Sequence, residues 1–150
     1  MEGPPSPRST GLAFGMLSWE KPAFRSPFEL WKDDGILHLV LAPGATMRTR
    51  DMKELIRLIS ALDPTRRSPV LLEYPAGVVV QEEARQLLRR VCSAQGHPVA
   101  FFTTDLQSRL QGVLFKQVHQ PAFPFRVFGW REEAYRWARE RRQLTELLGQ

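Results

Sequence analysis

The residues of this chain that could take part in chemistry are few and lie far apart in the sequence. The three histidines, His38, His97 and His119, are scattered, and there is no His-x-x-x-His pair or cluster of Cys and His. Zinc sites in proteins need three or four such ligands around one ion. We therefore expect no metal site.

The candidate nucleophile and the candidate base are single residues without the partners that would activate them. Cys92 lies late in a predicted helix, away from the helix N-terminus, where the pKa of a thiol is lowered. Glu73 is one carboxylate at the end of a predicted strand, and no acid partner accompanies it. The sequence also has no Gly-x-Ser-x-Gly elbow, P-loop or Gly-x-Gly-x-x-Gly motif. We expect no catalytic residue, no cofactor and no enzymatic activity.

The length and composition are those of one globular domain. Of the 150 residues, 43% are hydrophobic and 25% are charged, which are ordinary values for such a domain. No apolar run approaches the roughly 18 residues that a membrane span needs. The first residues also lack the apolar core of a signal peptide. We predict a cytoplasmic protein without a membrane span.

The chain divides into a tail and a domain. Residues 1–26 contain four prolines among Gly, Ser and Arg, and their apolar residues follow neither a helix period nor a strand period. We predict that this segment is a flexible tail. Residues 27–150 are predicted to form one α/β domain that ends in an extended C-terminal helix.

Hydrophobic periodicity indicates the elements of this domain. Asp34 and Gly35 separate two strand-like runs, which predicts a β-hairpin. Short apolar strands then alternate with amphipathic helices in the order αβαβαβα. This order predicts an α/β fold with a mixed, mostly parallel sheet packed with helices. In the helix that follows the strand at residues 99–103, we predict an inner face that consists of Leu106, Leu110, Val113 and Leu114.

Several short segments, in their order and spacing, resemble one protein family. They are Phe28–Trp31, Asp34–His38, Pro69–Glu73, Glu83–Arg85, Ser108–Leu110 and Glu132–Ala134, together with Gly112, Phe115, Pro121, Pro124, Phe125, Arg126 and Phe128. Residues 27–140 are thereby similar to the small STAS-like domain proteins of bacteria, also called SpoIIAA-like or STAS/SEC14. The resemblance implies a four- or five-stranded sheet backed by helices, which serves as a non-catalytic, regulatory protein-binding module.

The resemblance also implies where a partner binds. In anti-sigma factor antagonists of the broader group, a Ser or Thr at the start of the helix after the third strand is phosphorylated, which breaks partner binding. This chain has no Ser or Thr there, so we do not expect that switch. We predict that a protein partner binds the loop formed by Tyr74, Pro75, Ala76, Gly77, Val78 and Val79. The tail and the C-terminal helix are candidates for further contacts, including those of a homodimer.

The sequence leaves two other functions open. Six phenylalanines could line an apolar pocket for a small ligand or a lipid, namely Phe101, Phe102, Phe115, Phe123, Phe125 and Phe128. Arg66, Arg67 and the Arg-rich final helix could bind nucleic acid weakly, because the formal net charge is +5. However, the basic residues are 17 Arg and 4 Lys, a bias that a GC-rich genome also produces. We therefore do not expect nucleic acid to be the main partner.

Overall fold

Seven strands and four helices make up the described part of the chain, which in this computed structural model comprises residues 26–65, 67–92 and 96–148. The strands are β1 (Phe28–Asp33), β2 (Ile36–Leu41), β3 (Thr46–Met47), β4 (Val70–Glu73), β5 (Val79–Val80), β6 (Val99–Phe102) and β7 (Phe125–Phe128). The helices are α1 (Thr49–Leu62), α2 (Glu82–Cys92), α3 (Leu106–His119) and α4 (Arg131–Leu148). Apart from its last residue, the predicted tail lies outside the described residues.

Five strands form one sheet in the order β1-β2-β4-β6-β7. β1 and β2 are antiparallel, and the other neighbouring strands are parallel. This arrangement confirms the predicted α/β fold, in which a hairpin leads into a mixed, mostly parallel sheet. The two-residue strands β3 and β5 form a separate parallel pair, which the sequence did not predict.

Two residues with left-handed backbones form the hairpin turn. Asp34 has a φ of 53° and Gly35 a φ of 73°, and Asp33 pairs with Ile36 across them. Two successive positive φ angles are typical of a type I′ turn, whose twist matches that of the flanking strands. Aspartate tolerates this conformation better than most residues, and glycine adopts it without steric cost. The predicted hairpin is therefore confirmed.

Helices cover both faces of the five-stranded sheet. The three-helix face lies under α1, α2 and α3, which contribute Met52, Ala84 and Phe115 to its core. The one-helix face lies under α4, which contributes Ala134 and Trp137. Strands that are apolar on both sides are typical of a parallel sheet covered in this way.

The sheet separates the six phenylalanines into two groups. Phe101, Phe115, Phe123 and Phe125 lie on the three-helix face, whereas Phe102 and Phe128 lie on the one-helix face. The ring centroids of Phe115 and Phe125 are 5.1 Å apart, a distance at which aromatic rings pack against one another. The prediction that all six surround one ligand is therefore wrong, because the sheet lies between the two groups.

A buried carboxylate fixes the loop between α1 and β4. The Asp63 side chain is 3% exposed. It accepts hydrogen bonds from the Thr65 hydroxyl (2.6 Å) and from the Ser68 N–H (2.8 Å). Burial by itself would raise the pKa of Asp63. These hydrogen bonds and the nearby His97 outweigh burial, so that the pKa lies below its usual value.

We expect Asp63→Asn to lower the free energy of unfolding at neutral pH by about 1–3 kcal/mol, because charge-assisted hydrogen bonds are lost. The pKa of Asp63 is lower in the folded chain than in the unfolded chain, where it is about 3.9. Its contribution is therefore present above that value and is lost as the pH falls through the folded pKa. Urea unfolding should show a constant difference in the free energy of unfolding between wild type and variant near neutral pH. This difference should disappear in acid.

A difference in the free energy of unfolding between wild type and Asp63→Asn that persists or widens in acid would contradict a stabilising role of the Asp63 charge. Glu140→Gln removes an exposed carboxylate of α4 and serves as the control, with the wild-type pH profile expected.

Candidate functional site

The predicted partner-binding loop leaves the carboxyl end of β4, and its backbone is held in place. The Gly44 N–H donates a hydrogen bond to the Ala76 carbonyl oxygen (3.1 Å), and the Val79 N–H donates one to the Ala45 carbonyl oxygen (2.9 Å). Open α/β sheets commonly bind ligands outside the carboxyl ends of their strands. The loop is therefore both ordered and well positioned for binding.

Gly77 closes this loop against the neighbouring turn. Its φ is +81°, and a Cβ atom at this position would lie 3.2 Å from the Cα of Gly44. The positive φ and the close backbone approach both favour glycine. A substitution at Gly77 would therefore distort the loop as well as change its surface, so Val79 is the better position for a test of binding.

The six residues predicted to bind a partner are divided between the core and the surface. Tyr74 and Val78 are buried. The Tyr74 hydroxyl donates a hydrogen bond to Gln111 Oε1 (3.0 Å), and burial raises the pKa of this hydroxyl. The members of the loop that reach the surface are Pro75, Ala76, Gly77 and Val79. Binding through the loop stays a prediction, and these four residues are the ones able to make direct contact.

Glu73, the candidate base, is paired with a cation. Its Oε1 lies 2.7 Å from Arg131 Nη1, and its Oε2 accepts a hydrogen bond of 3.0 Å from Arg131 Nη2. The same guanidinium stacks over the Phe102 ring, 5.3 Å from its centroid. Bidentate pairs of this kind are strong and directional. The Glu73 carboxylate therefore links β4 to the first turn of α4.

The three histidines occupy different parts of the fold. The His38 ring stacks on Trp31 with centroids 5.3 Å apart, and burial is the main cause that lowers the pKa of His38. His97 Nδ1 lies 2.8 Å from the Ser68 carbonyl oxygen. His119 is the last residue of α3, and its ring centroid lies 4.9 Å from that of Phe115. Within the described residues, no three His, Cys, Asp or Glu side chains are placed to hold a metal ion.

Several arginines proposed for nucleic-acid binding are engaged within the domain. Besides the Glu73 pair of Arg131, the Arg141 guanidinium lies over the Trp137 ring at 5.1 Å, and Arg142 pairs with Glu146 at 3.3 Å. Arg66 lies outside the described residues. These contacts leave α4 without a continuous row of unpaired cations, which disfavours a phosphate-binding stripe.

Apart from Phe115, the large apolar residues of α3 face solvent, contrary to the prediction that Leu106, Leu110, Val113 and Leu114 form an inner face. Five of them form a row along the outside of the helix and are between 37% and 71% exposed. We call this row the α3 face; its members are Leu106, Leu110, Val113, Leu114 and Val118. None of the described helices, α3 included, combines the length and apolar character that a membrane span requires.

Two small residues explain why α3 packs with its opposite side. Ser108 and Gly112 are buried, and a Cβ atom at Gly112 would lie 2.9 Å from Phe101 Cε1 and 3.1 Å from Val127 Cγ2. The helix backbone therefore approaches the sheet closely at these two small residues, and the side chains of the α3 face point outward. The four-residue spacing of Ser108 and Gly112 was the sequence signal for this orientation.

The first turn of α3 is joined to the predicted loop. Asp105 is the N-cap residue, and its carboxylate accepts hydrogen bonds from both the N–H and the hydroxyl of Ser108 (2.9 Å each). The Ser108 hydroxyl oxygen also lies 3.4 Å from the Pro75 carbonyl oxygen. Caps of this kind stabilise helix starts, and here the capped Ser108 also links the buried side of the first turn of α3 to the loop.

Comparison with known proteins supports the fold. A family model described as a domain of unknown function (DUF7793) matches residues 30–142. The structure is similar to the crystal structure of an uncharacterized protein from Shewanella loihica PV-4, of the DUF3478 family and with a SpoIIAA-like fold. The TM-score is 0.56 at 10% sequence identity, and the match covers 74% of this chain and 91% of that chain. No curated protein matches the sequence. The resemblance to SpoIIAA-like domains is thereby confirmed at the level of the fold.

Proposed function

This chain belongs to DUF7793, a family of domains of unknown function, and we propose that it is a non-catalytic interaction module that binds a partner protein through the α3 face. The observation that carries this proposal is the row of five large apolar side chains on the outside of one helix. Single exposed apolar residues are common on protein surfaces, but contiguous groups of them mark interaction sites.

The spacing of the row suits helix-to-partner packing. Leu106, Leu110, Val113 and Leu114 recur at intervals of three and four residues, as do the anchors of helices that bind in grooves. Removal of apolar surface from water contributes about 25 cal/mol per Å². A partner that covered several of these side chains would therefore gain several kilocalories per mole before the costs of association.

The predicted loop is a second candidate contact. The Ser108 hydroxyl joins the buried side of the first turn of α3 to Pro75, so the loop and α3 are held to one another. Val79, which is 55% exposed, is the apolar side chain of the loop that a partner would contact. The absence of Ser and Thr between Tyr74 and Val80 supports a contact that phosphorylation of this loop does not control.

The contacts of the titratable groups support binding rather than catalysis. Glu73 is held by Arg131, the Tyr74 hydroxyl by Gln111, and Asp63 by the loop that it caps. Each of these groups stabilises the fold through these contacts. A catalytic group would have to break them in order to react.

The proposal is tested with the double variant Leu110→Asp/Leu114→Asp. Affinity capture from the source cells identifies proteins that bind wild type, and the dissociation constant of the purified pair is then measured. We expect the double variant to weaken binding by at least about tenfold, since charged residues would replace apolar contacts at the centre of the interface. Val79→Asp tests separately whether the predicted loop contributes, and it is expected to weaken binding less, because it alters one exposed apolar side chain rather than two.

Leu147→Asp is the matched control, because Leu147 is an exposed leucine of another helix, α4. It should leave the dissociation constant unchanged. Equal affinities of wild type and the α3 double variant, with both folded by circular dichroism, would contradict the proposal.

A further inference from the structure

The last strand of the sheet, β7, has a free side. It is the edge strand in the order β1-β2-β4-β6-β7, and no other described strand lies beyond it. The carbonyl oxygens of Pro124 and Phe128 accept hydrogen bonds from the N–H groups of Val99 and Thr103, on the β6 side. Because peptide groups alternate along a strand, the N–H and C=O groups of Phe125 and Val127 point away from β6. An edge of this kind is a template for another strand.

A groove runs beside this edge on the three-helix face. Its volume is about 610 Å³. Its walls are Val113, Lys116, Gln117 and Gln120 from α3 and its end, and Arg126 and Val127 from β7. A helix beside a free strand edge is the arrangement that accepts an extended peptide in strand addition.

The charges that line the groove are cationic. Lys116 and Arg126 are exposed, and they are the charged members of its lining. The Arg126 guanidinium lies 5.3 Å from the centroid of the Phe128 ring, which belongs to the one-helix face, so its charge flanks the edge on the side opposite Lys116. α3 itself carries Arg109 and Lys116 and has no Asp or Glu between Leu106 and His119. An extended segment with acidic side chains would therefore be attracted to this edge, and a basic segment would be repelled.

We propose that β7 accepts an extended acidic segment of a protein partner as an additional strand of the sheet, with alternate side chains of that segment entering the groove beside α3. This inference rests on the proposed function, since it specifies how the interaction module binds one segment of its partner protein. The main-chain groups of Phe125 and Val127 supply the strand pairing. Lys116 and Arg126 select the charge of the incoming segment, one from each face of the sheet.

The same charges disfavour a second copy of this chain at this edge. Antiparallel pairing of two β7 strands about a two-fold axis would place Arg126 within one or two residues of its own copy. Like charges at such positions across a strand pair are destabilising. The β7 edge therefore favours an acidic segment of a partner over a second copy of this chain.

The test uses an acetylated and amidated heptapeptide that alternates valine with glutamate, titrated into the full chain and followed by NMR. We expect saturable binding, with slowed hydrogen exchange at the amides of Phe125 and Val127. The same peptide with lysine in place of glutamate, and the glutamate peptide with alternate backbone nitrogens methylated, should each bind at least about tenfold more weakly. Lys116→Glu/Arg126→Glu should weaken binding of the glutamate peptide to a similar degree.

The charge-matched control is Arg136→Glu/Arg139→Glu on α4, which should bind the glutamate peptide like wild type. The inference is overturned by absence of saturable binding, by equal binding of the lysine peptide, or by amide protection away from β7. Protection of β7 that appears with protein concentration alone, together with dimerisation, would assign the edge to a second copy and also overturn it. Because the Leu110→Asp/Leu114→Asp experiment does not use this edge, its result shows separately whether the proposed function stands.

Discussion

A Gly112→Leu variant is expected to lose about 3 kcal/mol of stability, because the interior has no room for the added side chain. Glycine inside a helix normally lowers stability by about 1 kcal/mol relative to alanine. A larger residue would therefore stabilise a helix whose surface met no other group. Here a Cβ atom would already lie 2.9 Å and 3.0 Å from two atoms of the Phe101 ring. Leucine would therefore force α3 away from the sheet. Urea unfolding measures the loss.

Val113→Leu is the control for Gly112, since it enlarges the adjacent residue on the exposed side of α3. It should change stability by less than about 0.5 kcal/mol. If Gly112→Leu were as stable as wild type, α3 would not approach the sheet through Gly112. The orientation of the α3 face, on which the proposed function depends, would then be contradicted.

Trp137→Ala is expected to lower the free energy of unfolding by about 3–5 kcal/mol, as is typical for truncation of a buried aromatic residue. Trp137 is buried on the one-helix face, where its ring centroid lies 5.8 Å from that of Phe128. α4 covers this face, and Trp137 is its largest buried side chain. Its loss leaves a cavity between α4 and the sheet.

Trp130→Ala offers a matched control for this prediction, because Trp130 lies just before α4 and is 70% exposed. It should change stability by less than about 0.5 kcal/mol. Similar losses for the two variants in urea unfolding would contradict the packing of α4 on the one-helix face.

The parts of the fold that depend on local sequence were predictable. The Asp34–Gly35 turn and the alternation of strands with helices are set by residues close together in the chain. The pair formed by β3 and β5 joins residues more than thirty positions apart over two residues each. No periodicity can develop over two residues, and the sequence analysis therefore missed this pair.

The orientation of α3 shows what periodicity cannot provide. The spacing of Leu106, Leu110 and Leu114 predicts that they share a face, but the spacing does not show whether that face is covered. Ser108 and Gly112 on the opposite side determine the outcome, because close approach to Phe101 needs small residues there. The sequence thus identified these residues as one face of α3 but assigned that face to the core, and its exposure became evident only from the packing of α3 on the sheet.

The sequence predicted the position of the candidate loop after β4, but not which of its residues are buried, and its role in binding stays a prediction. Tyr74 and Val78 take part in the core, as expected for apolar residues that follow a buried strand. Val79 instead points outward while its backbone pairs with Thr46. Alternation along this short strand, which sequence analysis did not recognise, decides which loop residues a partner can contact.

The most direct test of binding through the α3 face is site-specific photo-crosslinking in the source cells. A photoreactive amino acid replaces Leu110 in one variant and Leu147 in another, and crosslinked products are identified by mass spectrometry. Our account predicts a discrete crosslink from position 110 to a partner protein and none to that protein from position 147. Absence of a protein crosslink from position 110, or the same crosslink from both positions, would contradict it.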